Sequence, residues 1–141
     1  LDAPLNSIVQ SNTVLISGMN VTTYFSIFDG EYSLNGAPFT SSPGMISNGD
    51  TLTLQTISPP NYSTQKDVVL EIGEPISMVN YTWKVITEDD LIPNVFSFSD
   101  QNNVALNSLI LSDPIVITGI TGSSNISITG GEDSINSVAY T

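Results

Sequence analysis

Apolar and polar positions alternate along much of this chain, in short runs cut by turn residues. Thr51-Leu52-Thr53-Leu54-Gln55 alternates strictly, the period-two mark of a half-buried strand. Val79, Tyr81, Trp83 and Val85 share one parity, so the pattern predicts a strand that turns them to one side. Further strands are predicted over residues 14–17, ended by Gly18, and 24–28, bounded by Asp29-Gly30. Tyr32-Ser33-Leu34 runs into Asn35-Gly36, a pair suited to the positive φ angles of a type I′ hairpin turn. Asn48-Gly49-Asp50 and Pro59-Pro60-Asn61 supply further turns, and residues 68–72 form a strand signal stopped by Gly73. No window shows the i, i+3, i+4, i+7 spacing of an amphipathic helix. The fold class predicted is all-β.

Residues 87–93 (Thr-Glu-Asp-Asp-Leu-Ile-Pro) are acidic, end in Pro and read as a linker. Residues 95–100 are predicted to open a second run of strands. That second run repeats the first. Leu5-Asn6-Ser7 matches Leu106-Asn107-Ser108; Ser26-Ile27 matches Ser127-Ile128; Gly30-Glu31 matches Gly131-Glu132. The offset is a constant 101 residues, and the 37 ungapped pairs from Pro4/Ala105 to Thr40/Thr141 contain 13 identities. A module of about a hundred residues suits an immunoglobulin-like antiparallel β-sandwich, so tandem modules are expected. Module 1 covers residues 1–90 and lacks a counterpart of the strand at 95–100. Module 2 covers 91–141 and stops before counterparts of the strands at 51–55, 68–72 and 79–85. Two expectations follow. Either the chain is an excerpt of a longer array, or it is a subunit whose missing strands come from a neighbour, polymerising by β-strand addition. The second expectation names residues 95, 96, 98, 115 and 117 (Val95, Phe96, Phe98, Ile115, Ile117) as strand-exchange positions.

Composition narrows the function. The chain carries 14 acidic and 2 basic residues, a net charge of −12, which repels nucleic acid and anionic lipid surfaces. No stretch approaches the roughly 18 apolar residues of a membrane span, so no membrane insertion is expected. The absence of Cys and His removes thiol nucleophiles, Cys/His zinc sites and Ser-His-Asp triads.

The run Gly30-Glu31-Tyr32-Ser33-Leu34-Asn35-Gly36-Ala37-Pro38-Phe39-Thr40, then Asn48-Gly49-Asp50-Thr51-Leu52-Thr53-Leu54 and Tyr62-Ser63-Thr64, resembles a tandem immunoglobulin-like repeat of large exported bacterial proteins. Phe96-Ser97-Phe98-Ser99-Asp100-Gln101 with Val104-Ala105-Leu106-Asn107 resembles the opening of the same repeat. The resemblance spans nearly the whole chain. It implies a β-sandwich in a bacterial extracellular or cell-surface adhesin, stalk or filament. It carries no catalytic residues, and Tyr81-Thr82-Trp83-Lys84 departs from it.

Glu88, Asp89, Asp90 and Asp100 form a candidate Ca²⁺ site at the module junction, since Ca²⁺ takes about six to eight oxygens. A solvated acidic linker is the plainer alternative. Asp29 with Glu31, and Glu132 with Asp133, are paired carboxylates of the kind that hydrolyse glycosides. Their recurrence at equivalent positions suits a structural turn better. Trp83 with Tyr81 offers a sugar-stacking platform, although a lone Trp on an alternating strand is more often core. The leading expectation is a non-catalytic structural or adhesive module, self-associating or flanked by neighbouring repeats. A carbohydrate- or receptor-binding module, and an immunoglobulin-like decoration domain of a phage tail or virion, are the alternatives.

Overall fold

A computed structural model describes residues 2–74 and 76–141. The chain divides into two compact units, Leu1–Glu88 and Asp89–Thr141, two residues from the expected 90/91 border.

Among its described residues unit 1 holds eight strands and no helix: β1 (Ile8–Gln10), β2 (Val14–Leu15), β3 (Thr23–Phe28), β4 (Glu31–Leu34), β5 (Gly44–Ile46), β6 (Thr51–Ile57), β7 (Gln65–Glu74) and β8 (Ser77–Ile86). They form two antiparallel sheets. In the first, β6 is central. Leu52 is flanked by Val14 of β2 on one side and Leu34 of β4 on the other; Gln55 is flanked by Gln10 of β1 and Glu31 of β4. Thus β1 and β2 follow one another along one edge of β6, and β4 occupies the other edge. The second sheet has the order β5-β3-β7-β8.

The alternation read in β6 works as expected: Leu52 points inward and is buried while its neighbours are half-exposed. Phe25 and Ile27 of β3, Tyr32, Ile46, Leu52, and Val68 and Leu70 of β7 make the core. Phe25 and Tyr32 meet edge to face, with ring centroids 4.5 Å apart. The Tyr32 hydroxyl donates to the Ser42 carbonyl at 2.9 Å, so its polar tip is satisfied. Asn35 and Gly36 both take positive φ (53° and 76°), as a type I′ turn requires. Asp50 ties that turn to the next: its carboxylate accepts from the Asn35 amide (2.8 Å) and from the Ser47 backbone N–H (2.7 Å). These two bonds, the Asn35 bond foremost, lower the Asp50 pKa below the ordinary 3.8.

Unit 2 is different. Residues 95–100 are not a strand, and no strand is formed anywhere among the described residues of Asp89–Thr141. None of its residues is buried. The extended conformation predicted there needs a hydrogen-bonded neighbour, and unit 2 provides none. Its backbone is held by scattered bonds: Asn94 N–H to the Thr118 carbonyl, Thr121 N–H to the Asp90 carbonyl, and a reciprocal pair between Asp133 and Thr141.

Candidate functional site

The two units share their turns. Every positive-φ residue between positions 3 and 40 has a positive-φ counterpart 101 residues on: Asn6 and Asn107 (47° and 51°), Gly18 and Gly119 (82° and 90°), Asp29 and Gly130 (60° and 79°), Asn35 and Asn136 (53° and 52°), Gly36 and Ser137 (76° and 66°). Left-handed backbone is uncommon outside glycine, so five coincidences at one offset are specific. Hydrogen bonds recur too. The Ala37 N–H donates to Leu34 and the Val138 N–H to Ile135, both at 3.0 Å. The Ser33 hydroxyl donates to the Ala37 carbonyl and the Ser134 hydroxyl to the Val138 carbonyl. The Tyr32–Thr40 backbone pair is repeated by Asp133–Thr141.

What does not recur is the partnering. In unit 1, Asn35 N–H reaches the Thr51 carbonyl and Ser7 N–H the Ser58 hydroxyl, both across to β6 or just beyond it. Among the described residues, no strand in unit 2 answers any of β1 through β8. Its apolar residues therefore stay exposed, among them Val95, Phe96, Phe98 and Ile117 of the predicted exchange set, with Ile115 half-buried. Phe96 and Phe98 stand edge to face, centroids 6.2 Å apart, on one side of the backbone.

Unit 1 has an open edge of its own. From Thr87 back along β8 the residues of inward parity pass from buried to exposed. Thr87 and Val85 are 1% and 4% exposed, Trp83 is half-buried against the core, and Tyr81 and Val79 are 58% and 53% exposed. Ala3 supplies the cover at the buried end. It pairs parallel with Thr87, donating to the Ile86 carbonyl at 2.8 Å and accepting from Glu88 N–H at 3.0 Å. Among the described residues nothing pairs with the outer edge of β8 before that point. A groove of about 510 Å³ lies between this edge and β1, lined by Ala3, Val9, Ser11, Trp83, Val85 and their neighbours. Sequence reasoning did not single out this edge. Its signal was the apolar parity of residues 79–85 with no strand left to cover it.

The remaining candidates fall in less suggestive places. Asp90 accepts from the Ile92 N–H at 3.0 Å, capping its own turn, and the Asp89 carboxylate lies against the Gly122 backbone. Glu88 belongs to unit 1, Asp100 to unit 2. Among the described residues no three acidic side chains gather into a metal-binding group. Asp29 and Glu31 flank the β3–β4 turn, where Glu31 accepts from Gln55. Trp83 packs on the core and lines the groove, which leaves only Tyr81 open for stacking. Among the described residues no helix is long and apolar enough to cross a membrane. Compared with protein-family models, with curated proteins and with solved structures, the chain matches none.

Proposed function

We propose that this chain is a non-catalytic structural module of a bacterial extracellular surface protein, built from immunoglobulin-like sandwiches repeating every 101 residues. Modules or chains are joined by strand complementation into an array or filament. One observation carries the reading: unit 2 reproduces the turns of residues 3–40 in unit 1 but buries no side chain. A stretch preset to the first half of a sandwich, with its apolar residues exposed, calls for the second half from elsewhere. Exposed apolar surface on this scale is a binding surface more readily than an inert exterior. The acidic charge keeps such a chain soluble until it finds its complement.

The test is assembly. Electron microscopy and light scattering of the purified chain across a concentration series should show particles that grow with concentration. A chain that stays monomeric throughout, with its 103–141 amides exchanging freely at the highest concentration, would overturn the reading.

A further inference from the structure

We infer that the uncovered edge of β8 next to this groove, in one copy, accepts residues 95–99 of a second copy, laid parallel to β8 with Phe96 and Phe98 turned inward. The inference rests on the strand-complementation reading above and adds the acceptor, the donor and the register.

Three observations converge. First, the Ala3–Thr87 bridge is parallel, so any strand leading into Ala3 runs in the direction of β8 along its uncovered edge. Second, the 101-residue register names the segment that leads into this position. Val104 stands where Ala3 does, and residues 95–100 lie just before it. Stepping back from Ala3–Thr87 two residues at a time places Phe98 beside Tyr81 and Phe96 beside Val79. Those are the two inward positions of β8 that lack cover. Third, unit 2 shows where this segment starts. Asn94 bonds to Thr118, the counterpart of Ser17. In unit 1, Ser17 leads toward β3, whose Phe25 pairs with Ile72, and Ile72 with Val79. Thus both ends of the segment map onto the two ends of the open β8 edge. Residues 95–99 face Met78 to Thr82, a stretch of roughly 17 Å at the rise of an extended strand.

Residues 95–99 reach this edge from another copy rather than from their own chain. A parallel neighbour to β8 within one chain needs a crossover of about a dozen residues or more. Only residues 87–94 separate β8 (Ser77–Ile86) from the segment. Residues 93–99 are uncharged; the register continues to Asp100 beside Trp83, next to Lys84, the one charged side chain of β8.

Trp83, the only tryptophan, stands one inward position past Tyr81, beside Asp100 in this register, and reports on docking of the segment. The acceptor is the full chain carrying Phe96→Ser and Phe98→Ser, which cannot donate; both residues are exposed, so unit 1 keeps its fold. Added peptide of residues 93–101 should shift Trp83 emission to shorter wavelength with saturation. The same peptide with Ser at 96 and 98 should bind roughly tenfold weaker or more for each phenylalanine lost. Tyr81→Asp in the acceptor should abolish the response. No shift with the native peptide overturns the groove assignment. If the chain still assembles in that case, the module reading survives; if it does not, both fall. A response that survives Tyr81→Asp places the peptide elsewhere and overturns the inference. So does assembly that depends on Tyr81 but not on Phe96 and Phe98, which would mean β8 pairing with β8.

Discussion

Phe25 and Ile126 hold the same place in two stretches with the same turns, yet Phe25 is fully buried and Ile126 is 60% exposed. Ile27 and Ile128 differ likewise, at 6% and 50%. The local code is close on both sides: Asn, Gly, Asp or Ser at the left-handed positions, and Ser closing the β4-type turn onto its own backbone. Only the partners differ. Turn chemistry sets the course of the chain, while the strand itself exists only when a second strand pairs with it. Unit 2 is a folded set of turns without a sheet.

That contrast can be broken by paired substitutions. Phe25→Ala should cost about 3–5 kcal/mol of unit 1 stability by chemical denaturation, because it empties the core. Ile126→Ala should leave the same melt unchanged. A comparable loss from both would mean that unit 2 has a core. Gly30 and Gly131 give the next contrast. A Cβ at Gly30 would lie 2.8 Å from the Gln55 carbonyl oxygen and from Val68, whereas one at Gly131 would meet only Ile128 at 3.5 Å. Gly30→Ala should therefore destabilise by about 1–3 kcal/mol, and Gly131→Ala by almost nothing. Equal effects would show that counterparts of β6 and β7 already cover Gly131. Ser33→Ala removes a part-buried bond and should cost about 1 kcal/mol. Ser134→Ala, at the exposed turn, should lie within experimental error in the same assay.

The smallest effect is electrostatic. Asp50 is held below its ordinary pKa by Asn35 and the Ser47 N–H. A lowered folded pKa stabilises above the unfolded value near 3.8, and the gain is lost as pH falls through the folded value. Acid titration of the melting temperature should show a step below about pH 4 that Asp50→Asn removes. A step unchanged in that variant would assign it to another carboxylate.

Much of unit 1 was legible in the sequence. The alternation of residues 51–55 and the Asn35-Gly36 turn led to β6 and to the β4 hairpin turn because pattern and turn chemistry agree there. Two strands, β1 and β5, were missed. Each is three residues long and takes its extended form from pairing with β6 or β3 rather than from its own composition. Residues 95–100 failed the other way: their pattern is that of a strand, and nothing lies beside them to make one. The 101-residue register was visible as identities. Its conformational meaning emerged only in the φ angles, where Ser137 follows Gly36 into left-handed space despite the change of residue. The open β8 edge was legible only as the apolar parity of residues 79–85; that β8 is the sheet's last strand shows only in the pairing.

The most direct test is amide exchange in the dilute monomer, comparing residues 25–28 with residues 126–129. In unit 1 the first set is paired to β5 and β7; in unit 2 no strand holds the second. The first set should be strongly protected, and the second should exchange at nearly the rate of an unstructured peptide. Equal protection of the two sets in the monomer would contradict the account, because it would mean that unit 2 completes its own sheet.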